Sequence, residues 1–213
     1  NTLFPEDVTL CVMPISHSYG LTLLQGMLFV GAHLRIMPRF SLTQAIDAVV
    51  NGSLTAFNAV PAMLSRIIAY VDQNNIKLTP NNLRYVYTGT APLDLSLRQS
   101  VERVFGVVLH NGYGLTETAP IVAVSNPFER RAGSVGKPLG NQEVRLGPGG
   151  EVQVRGPNVT PGYLNSGTAH ADADGWLYVD GRRRDMIISG GENVYPAEIE
   201  NVLATCPEIA EVA

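Results

Sequence analysis

The chain has 213 residues, 45% of them hydrophobic and 16% charged, which is enough apolar material for a sizeable core or for one domain and part of a second. A formal net charge of −4 and a pI ≈ 5.5 exclude a whole-protein field that attracts nucleic acid, so any polyanionic ligand must be held locally. The most apolar run, Leu21 to Met37, is interrupted by Gln25, Gly26, Gly31, His33 and Arg35 and is too broken to span a bilayer, and the two cysteines, Cys11 and Cys206, suit a reduced cytoplasmic protein better than a disulfide scaffold.

Short β-rich runs alternate with helical patterns along the first half. "VTLCVM" (8 to 13) is a continuous apolar run that reads as a buried strand. "YGLTLLQGMLFVG" reads as a helix ending at Gly31, and "AHLRIM" as the next strand. Ser41 is placed to N-cap "LTQAIDAVV", and "LTAFNAV" follows as a strand. Pro61 suits the first turn of a helix running to about Tyr70, because its missing N–H has no partner there in any case. "LRYVYTG" reads as a strand, "DLSLRQSVERVF" as a helix with Asp94 near its start, and "VVLHNGYG" as a strand leaving into a glycine loop. This β-α-β-α order predicts an α/β fold, a parallel sheet with helices on both faces. Ligands of such sheets sit outside the carboxyl ends of the strands, where "TGTAPL" (88 to 93) and "NGYGLTETAP" (111 to 120) both fall.

After Pro120 the pattern changes. "QEVRLGPGGEVQVRGP" reads as an antiparallel hairpin turning at Pro148, Gly149 and Gly150, and "DGWLYVDGRRRDMIISGG" as another pair of strands. A helix is expected from about Pro196, with Ile199, Val202 and Leu203 on one face, in a segment too short to bury its own core.

"NGYGLTETAP" carries the chemistry. Gly112 and Gly114 let the backbone approach a ligand, and Tyr113 offers a flat face for a base. The Thr116 hydroxyl can donate to a phosphate oxygen, and the Glu117 carboxylate is a hard ligand suited to Mg²⁺. The same residues also suit a plain strand-to-loop turn capped by Thr116.

"YVYTGTAPL", "NGYGLTET", "GEVQVRGPNVTPGYLN" and "GRRRDMIISGGENVYPAEIE", in this order and at this spacing, resemble the adenylate-forming enzymes, the superfamily of acyl-CoA synthetases, luciferases and peptide-synthetase adenylation domains. The resemblance runs from about Met13 to the end of the chain, and "GGENVYPAEIE" is most similar to the acyl-CoA ligase branch. It implies that residues 1–120 are the C-terminal part of a large α/β domain binding nucleotide and acyl group. Residues 121–183 would then be a β-rich subdomain, and 184–213 the start of a small, mobile α+β C-terminal domain.

The implied reaction has two steps and uses ATP, Mg²⁺, coenzyme A and a small-molecule carboxylic acid, with no nucleic acid and no membrane span. The acid attacks the α-phosphate of ATP to give acyl-adenylate and pyrophosphate, and the thiol of coenzyme A then displaces AMP. By resemblance, Glu117 is the Mg²⁺ carboxylate, Thr116 the hydroxyl on the α-phosphate and Tyr113 the ring against adenine. Gly89, Thr90, Ala91 and Pro92 line the nucleotide pocket, with Asn111 and Gly112 near the base or acyl group. His17 matches a position that gates and orients the carboxylate, and taken alone it reads as a structural histidine. Val60 and Pro61 border the acyl pocket. Arg182 matches the arginine on ribose and phosphates, and Arg184 falls at the hinge, where the family usually has Asp or Lys. Gly190 and Gly191 would lie along the pantetheine arm of coenzyme A. Three adjacent arginines also read as a solvated basic turn.

The chain departs from the family pattern in three places. No phosphate loop with its lysine stands before His17, no catalytic lysine stands near Ala213, and "SGTAHADA" replaces the longer stretch whose Thr-Gly-Asp binds the ribose hydroxyls. Residues are therefore expected to be missing around Ser166, and these 213 residues are not expected to catalyse the reaction alone. An adenylation domain loading a carrier protein and an inactive nucleotide-binding relative are the alternatives. The acid and the oligomeric state are not encoded in any recognisable motif.

Overall fold

The computed structural model describes residues 3–51, 53–78, 82–125, 131, 133–148, 150–162, 169–171, 173–179, 187–189 and 192–194, with 169–171, 177–179, 187–189 and 192–194 given as backbone alone. Five parallel strands come first: β1 (Val8–Cys11), β2 (His33–Ile36), β3 (Ala56–Asn58), β4 (Tyr85–Thr88) and β5 (Val108–Gly114). They lie side by side in the order β2-β1-β3-β4-β5 and are joined by helices α1 (Ser18–Val30), α2 (Leu42–Val50), α3 (Pro61–Gln73) and α4 (Leu95–Phe105). The first crossover therefore runs from β1 outward to β2, and the next three run the opposite way. Parallel crossovers are right-handed in nearly all proteins, so α1 falls on one face of the sheet and α2, α3 and α4 on the other.

Packing follows that division. Leu10, Phe57, Val86 and Leu109 form one registered row across four strands, and each is buried. They share a core with Ile46 and Val49 of α2, Leu64, Ile67 and Val71 of α3, and Val101 and Phe105 of α4. Phe57 and Phe105 stack with ring centroids 6.1 Å apart. Burying side chains of this size contributes roughly 1.5–3 kcal/mol each. The adjacent row, Cys11, Asn58, Tyr87 and His110, points the other way because side chains alternate along a strand. There Tyr19 of α1 lies 6.2 Å from the Tyr87 ring and donates its hydroxyl to Asn58 Oδ1 at 3.2 Å.

Helix ends follow the capping residues seen in the sequence, with one difference. Gly31 closes α1 at φ 72, Asp94 accepts from the Ser96 N–H at 2.8 Å, and Pro61 opens α3. Ser41 occupies the N-cap of α2, but its side chain makes no capping bond; its hydroxyl lies 3.5 Å from that of Thr43. Strand β2 is present but sits at the edge, with Ile36 half exposed, rather than inside a covered sheet.

Beyond β5 the same sheet continues antiparallel through β6 (Ile121–Val124) and β7 (Lys137–Pro138), making seven strands among the described residues. A single 3₁₀ turn, Thr116–Thr118, separates β5 from β6. The expected hairpin is β8 (Glu143–Leu146) and β9 (Val152–Arg155), closed by Gly147 N–H to the Glu151 carbonyl at 2.9 Å, with Gly150 at φ 83. Strands β10 (Ala169–Ala171) and β11 (Leu177–Val179) join it in the order β10-β11-β9-β8. Trp176 is buried against the guanidinium groups of Arg145 and Arg155, 3.9 and 4.5 Å from its ring. The strands expected in "DGWLYVDGRRRDMIISGG" exist as β11 and β12 (Ile187–Ser189) but do not pair with each other. β11 lies between β10 and β9, whereas β12 pairs with β13 (Glu192–Val194). The helix expected from Pro196 lies outside the described residues.

At the amino edge of the sheet, Asp7 is 1% exposed. It accepts from the Phe4 N–H at 2.7 Å, the Thr55 hydroxyl at 2.6 Å and Arg84 Nη2 at 2.6 Å, tying the chain before β1 to the starts of β3 and β4. Burial pushes this carboxyl up, but the bonds from Thr55, Phe4 and Arg84 outweigh it and hold the Asp7 pKa below the usual value. A lowered folded-state pKa means stability that is present above the unfolded carboxyl range and lost as pH falls through the lower value. We expect Asp7→Asn to destabilise the protein by about 2 kcal/mol at pH 7. The penalty should shrink as the pH falls below about 4. Denaturant melts of both proteins at pH 7 and pH 3 check this, and a gap that stays constant would refute it.

Candidate functional site

Strand order reverses between β1 and β3, so the loops leaving their carboxyl ends diverge and open a crevice there. The start of α1 forms one wall. The His17 ring accepts from the Tyr19 N–H through Nδ1 at 3.1 Å, and the His17 backbone N–H bonds the Pro14 carbonyl at 3.0 Å. With Nδ1 engaged as an acceptor, the proton of the neutral ring sits on Nε2. A Cβ at Gly20 would strike the Pro14 carbonyl, which is why the helix can fold tightly back on the loop that precedes it. Ser18 Oγ lies 3.3 Å from Thr116 Oγ1, joining two segments 98 residues apart.

The second wall is the loop after β4. Gly89 is buried, and a Cβ there would lie 3.2 Å from the Gly112 carbonyl, so the backbones of the two glycine loops run in near contact. Ala91 is half-buried and Pro92 exposed. Thr90 is β-branched yet sits at φ 71, a conformation that favours glycine and costs a residue of its kind about 1–3 kcal/mol. Pro61, at the head of α3, lines an open groove of ≈ 500 Å³ between α3 and α4 together with Asp94 and Ser96, and Val60 is buried beside it.

The third wall is the loop after β5. A Cβ at Gly112 would meet the Tyr87 hydroxyl, and one at Gly114 would meet the Pro120 carbonyl. Burial pushes the Tyr19 and Tyr87 phenols well above their usual value, so both remain protonated. The 3₁₀ turn is held by the buried Thr118 hydroxyl, 2.9 Å from the Leu115 carbonyl and 3.1 Å from that of Pro120. It ends at Ala119, the second left-handed non-glycine residue on the rim, at φ 53. The turn leaves the Thr116 side chain exposed and the Tyr113 and Glu117 side chains half-buried.

Between these walls, polar atoms go unsatisfied. Thr88 Oγ1, Thr90 Oγ1 and Asn111 Oδ1 are buried with no hydrogen-bond partner, and Thr88, the last residue of β4, is the direct register partner of Asn111, midway along β5. The Asn111 backbone, by contrast, is fully used: its N–H bonds Ser125 Oγ at 2.8 Å, and its carbonyl accepts from the Ser125 N–H at 2.8 Å. Each stranded buried group costs roughly 1–3 kcal/mol, so three on one edge suit a ligand that brings both donors and acceptors. An amide oxygen there could accept from an amino group, and two hydroxyls could donate to or accept from a polar ring or phosphoryl oxygen.

No three His, Cys, Asp or Glu side chains gather into a metal cage among the described residues. The Glu117 carboxylate suits Mg²⁺, which keeps several waters and takes most of its remaining ligands from phosphates. His17, Gly89, Thr90, Ala91, Pro92, Thr116 and Glu117 lie on the three loops at this edge, and Asn111, Gly112, Tyr113 and Gly114 lie on the last part of β5 that leads into the third of them. Arg182, Arg184, Gly190 and Gly191 lie outside the described residues. Sequence reasoning passed over Ser18, Asn58, Tyr87 and Thr88. The signal for Tyr87 and Thr88 was their place immediately before Gly89, but nothing local to Ser18 or Asn58 indicates the crevice.

A family model described as "AMP-binding enzyme" matches residues 1–164. The chain is 37% identical to the indoleacetate–CoA ligase of Aromatoleum aromaticum over 240 residues, covering 99% of this chain and 46% of that protein. It is 35% identical to the 2-succinylbenzoate–CoA ligase of Bacillus velezensis, covering 97% of this chain and 47% of that protein. Among solved structures, a malonyl-CoA ligase with methylmalonyl-CoA and AMP bound superposes with a TM-score of 0.80 at 32% identity, covering 99% of this chain and 52% of that one. The o-succinylbenzoate CoA synthetase of Bacillus subtilis in complex with ATP and magnesium gives 0.65 at 30% identity, covering 96% and 48%. The chain thus spans about half the length of the curated relatives it matches. The alignment of 240 residues is longer than the 213-residue chain, so the first relative carries insertions within the matched span.

The contact between Gly112 and Tyr87 is testable without any ligand. Gly112→Ala should lower Tm by several degrees, because the new methyl group meets a phenol fixed beneath α1. Tyr87→Phe in the same protein should restore part of that loss by removing the hydroxyl. Strictly additive losses in the double variant, read by thermal denaturation, would show that the two residues do not press on each other.

Proposed function

Because the chain belongs to the AMP-binding enzyme family, within the adenylate-forming superfamily, we propose that its protein activates a carboxylic acid with ATP and transfers the acyl group to coenzyme A. One observation carries the reading. The two glycine segments that resemble the family's nucleotide loops, 88–92 and 111–118, lie backbone to backbone at the carboxyl edge of the neighbouring strands β4 and β5, beside three buried polar atoms without partners. The names of the relatives support coenzyme A as the acceptor. An amino acid as substrate is disfavoured by "MPISHSYGLTLLQG", which has no acid to hold an amine.

In the first step a carboxylate oxygen attacks the α-phosphorus of ATP, the bond to the bridging oxygen breaks and pyrophosphate leaves. In the second, the coenzyme A thiolate attacks the acyl carbon, the carbon–oxygen bond to the phosphate breaks and AMP departs. Magnesium, when bound, neutralises charge on the phosphates. The chain's own groups position the reactants. Asn111, Thr88 and Thr90 meet the polar edges of the nucleotide, with Tyr113 against its base. Gly89, Gly112 and Gly114 keep the backbone clear for close approach, with Ala91 and Pro92 beside them. Thr116 donates to the α-phosphate, held by Ser18 from the start of α1. Glu117 holds the metal, and His17 presents the Nε2–H towards the entering carboxylate.

Residues 1–120 supply the nucleotide and acyl walls, 121–183 the β-rich subdomain and 184–213 the start of a mobile domain. In this reading Arg184 is the hinge, Arg182 contacts the ribose and phosphates, and Gly190 and Gly191 lie along the pantetheine arm. A cytoplasmic location fits Cys11, a free and buried thiol that burial pushes up and keeps unreactive. No helix among the described residues is long and apolar enough to cross a membrane.

Coenzyme A-dependent AMP release from the full-length protein over a panel of carboxylic acids tests the activity and finds the substrate together. Glu117→Ala should cut Mg²⁺-dependent ATP–pyrophosphate exchange by about 100-fold while Tm stays within a few degrees of the parent, and undiminished exchange would overturn the assignment. Leucine at position 190 or 191 should slow thioester formation more than adenylation in single-turnover measurements. Equal slowing of both half-reactions would remove these glycines from the coenzyme A path.

A further inference from the structure

We propose that Gln142 and Asn158, neither of which touches the crevice, are positioning residues that hold the Glu117 carboxylate in place by bracing the backbone of its turn. The inference rests on reading Glu117 as the magnesium ligand. The turn is short. Its main chain supplies the Thr118 N–H to Leu115 bond at 3.0 Å and the Ala119 N–H to Thr116 bond at 3.3 Å. The Thr118 hydroxyl and the Leu115 N–H to Pro120 carbonyl bond at 2.8 Å close its base, and the exit through Ala119 is strained. Such a turn leaves its other carbonyls without internal partners.

Those carbonyls are satisfied from the β8–β9 side. Asn158 Nδ2 donates to the Thr118 carbonyl at 2.6 Å and to Gln142 Oε1 at 3.1 Å. Gln142 Nε2 in turn donates to the carbonyls of Ile121 at 3.0 Å and Val122 at 2.7 Å. The Thr160 N–H donates to the carbonyl of Glu117 itself at 2.8 Å. Carbonyls 117, 118, 121 and 122 are thus all held by residues 142–160. Neither amide can flip, because its oxygen would then face a carbonyl oxygen. Gly156 keeps the pair close, since a Cβ there would lie 2.7 Å from Asn158 Oδ1 and 3.0 Å from Gln142 Cβ. A metal ligand must be held to within about half an ångström of its productive position, and a free 3₁₀ turn does not offer that.

The test is calorimetric titration of the full-length protein with ATP, once with Mg²⁺ and once with EDTA. The parent should bind ATP more tightly with Mg²⁺, and Glu117→Gln should abolish that gain. Asn158→Leu and Gln142→Leu should each reduce the gain about five- to tenfold, with metal-free ATP affinity within about twofold of the parent. The double variant should be no worse than the stronger single, because the two amides act as one brace. If Glu117→Gln removes the gain while both leucine variants keep it, the brace is refuted and the Glu117 reading stands. If the parent shows no gain, or Glu117→Gln retains it, the Glu117 reading falls and the brace with it. Equal weakening of both titrations in folded leucine variants would mean a merely structural role and would also refute the proposal. Should Asn158→Leu fail to fold, Gln142→Leu carries the test from the other end of the brace.

Discussion

A parallel β-α-β crossover turns one way only, and β1 is the point from which this chain turns both ways. Its first crossover moves outward to β2 and the remainder move back across it, so the handedness that forces three helices onto one face leaves α1 alone on the other. The crevice opens where the two directions part, and α1 begins at its mouth. His17 therefore serves first as a helix cap, and its bond to the Tyr19 N–H engages Nδ1 of the ring. On α1, Leu28 and Phe29 are 70% and 91% accessible.

The two ends of the sheet treat polar groups in opposite ways. At the amino edge the buried carboxylate of Asp7 receives bonds from a backbone amide, a hydroxyl and a guanidinium, and the arrangement stabilises the fold. At the carboxyl edge two hydroxyls and an amide oxygen are buried with nothing to bond, and Thr90 and Ala119 hold left-handed backbone. Folding alone does not favour either choice there. Stability is given up where a ligand can restore it, which is the pattern expected of a binding edge rather than of a loose loop.

Much of this was legible in the sequence because the signals are local. Apolar runs, Gly31, Pro61 and Asp94 mark where elements start and stop, and the glycine motifs fall at strand ends whatever the tertiary contacts. Non-local pairing was less legible. "DGWLYVDGRRRDMIISGG" reads as a pair of strands without saying what they pair with: β12 forms a local hairpin with β13, whereas β11 lies between β10 and the more distant β9. The hydroxyl of Ser41 has the right chemistry for a cap but lies beside Thr43 instead. Ser18 and Thr116 meet across 98 residues, and the pairing of Gln142 with Asn158 around a distant turn has no sequence period at all. The elements that form the site could be read locally, whereas the contacts that hold it in shape arise only on folding.

The tie from the Thr160 N–H to the Glu117 carbonyl differs in kind from its neighbours, since both partners are main-chain atoms. Alanine at either position leaves it intact, and of the natural residues only proline at 160 lacks the donor. Mutational scanning would thus record the join between the β-rich segment and the glutamate turn as tolerant. Sequence drift could replace the side chains at both ends of this tie while the turn kept its attachment.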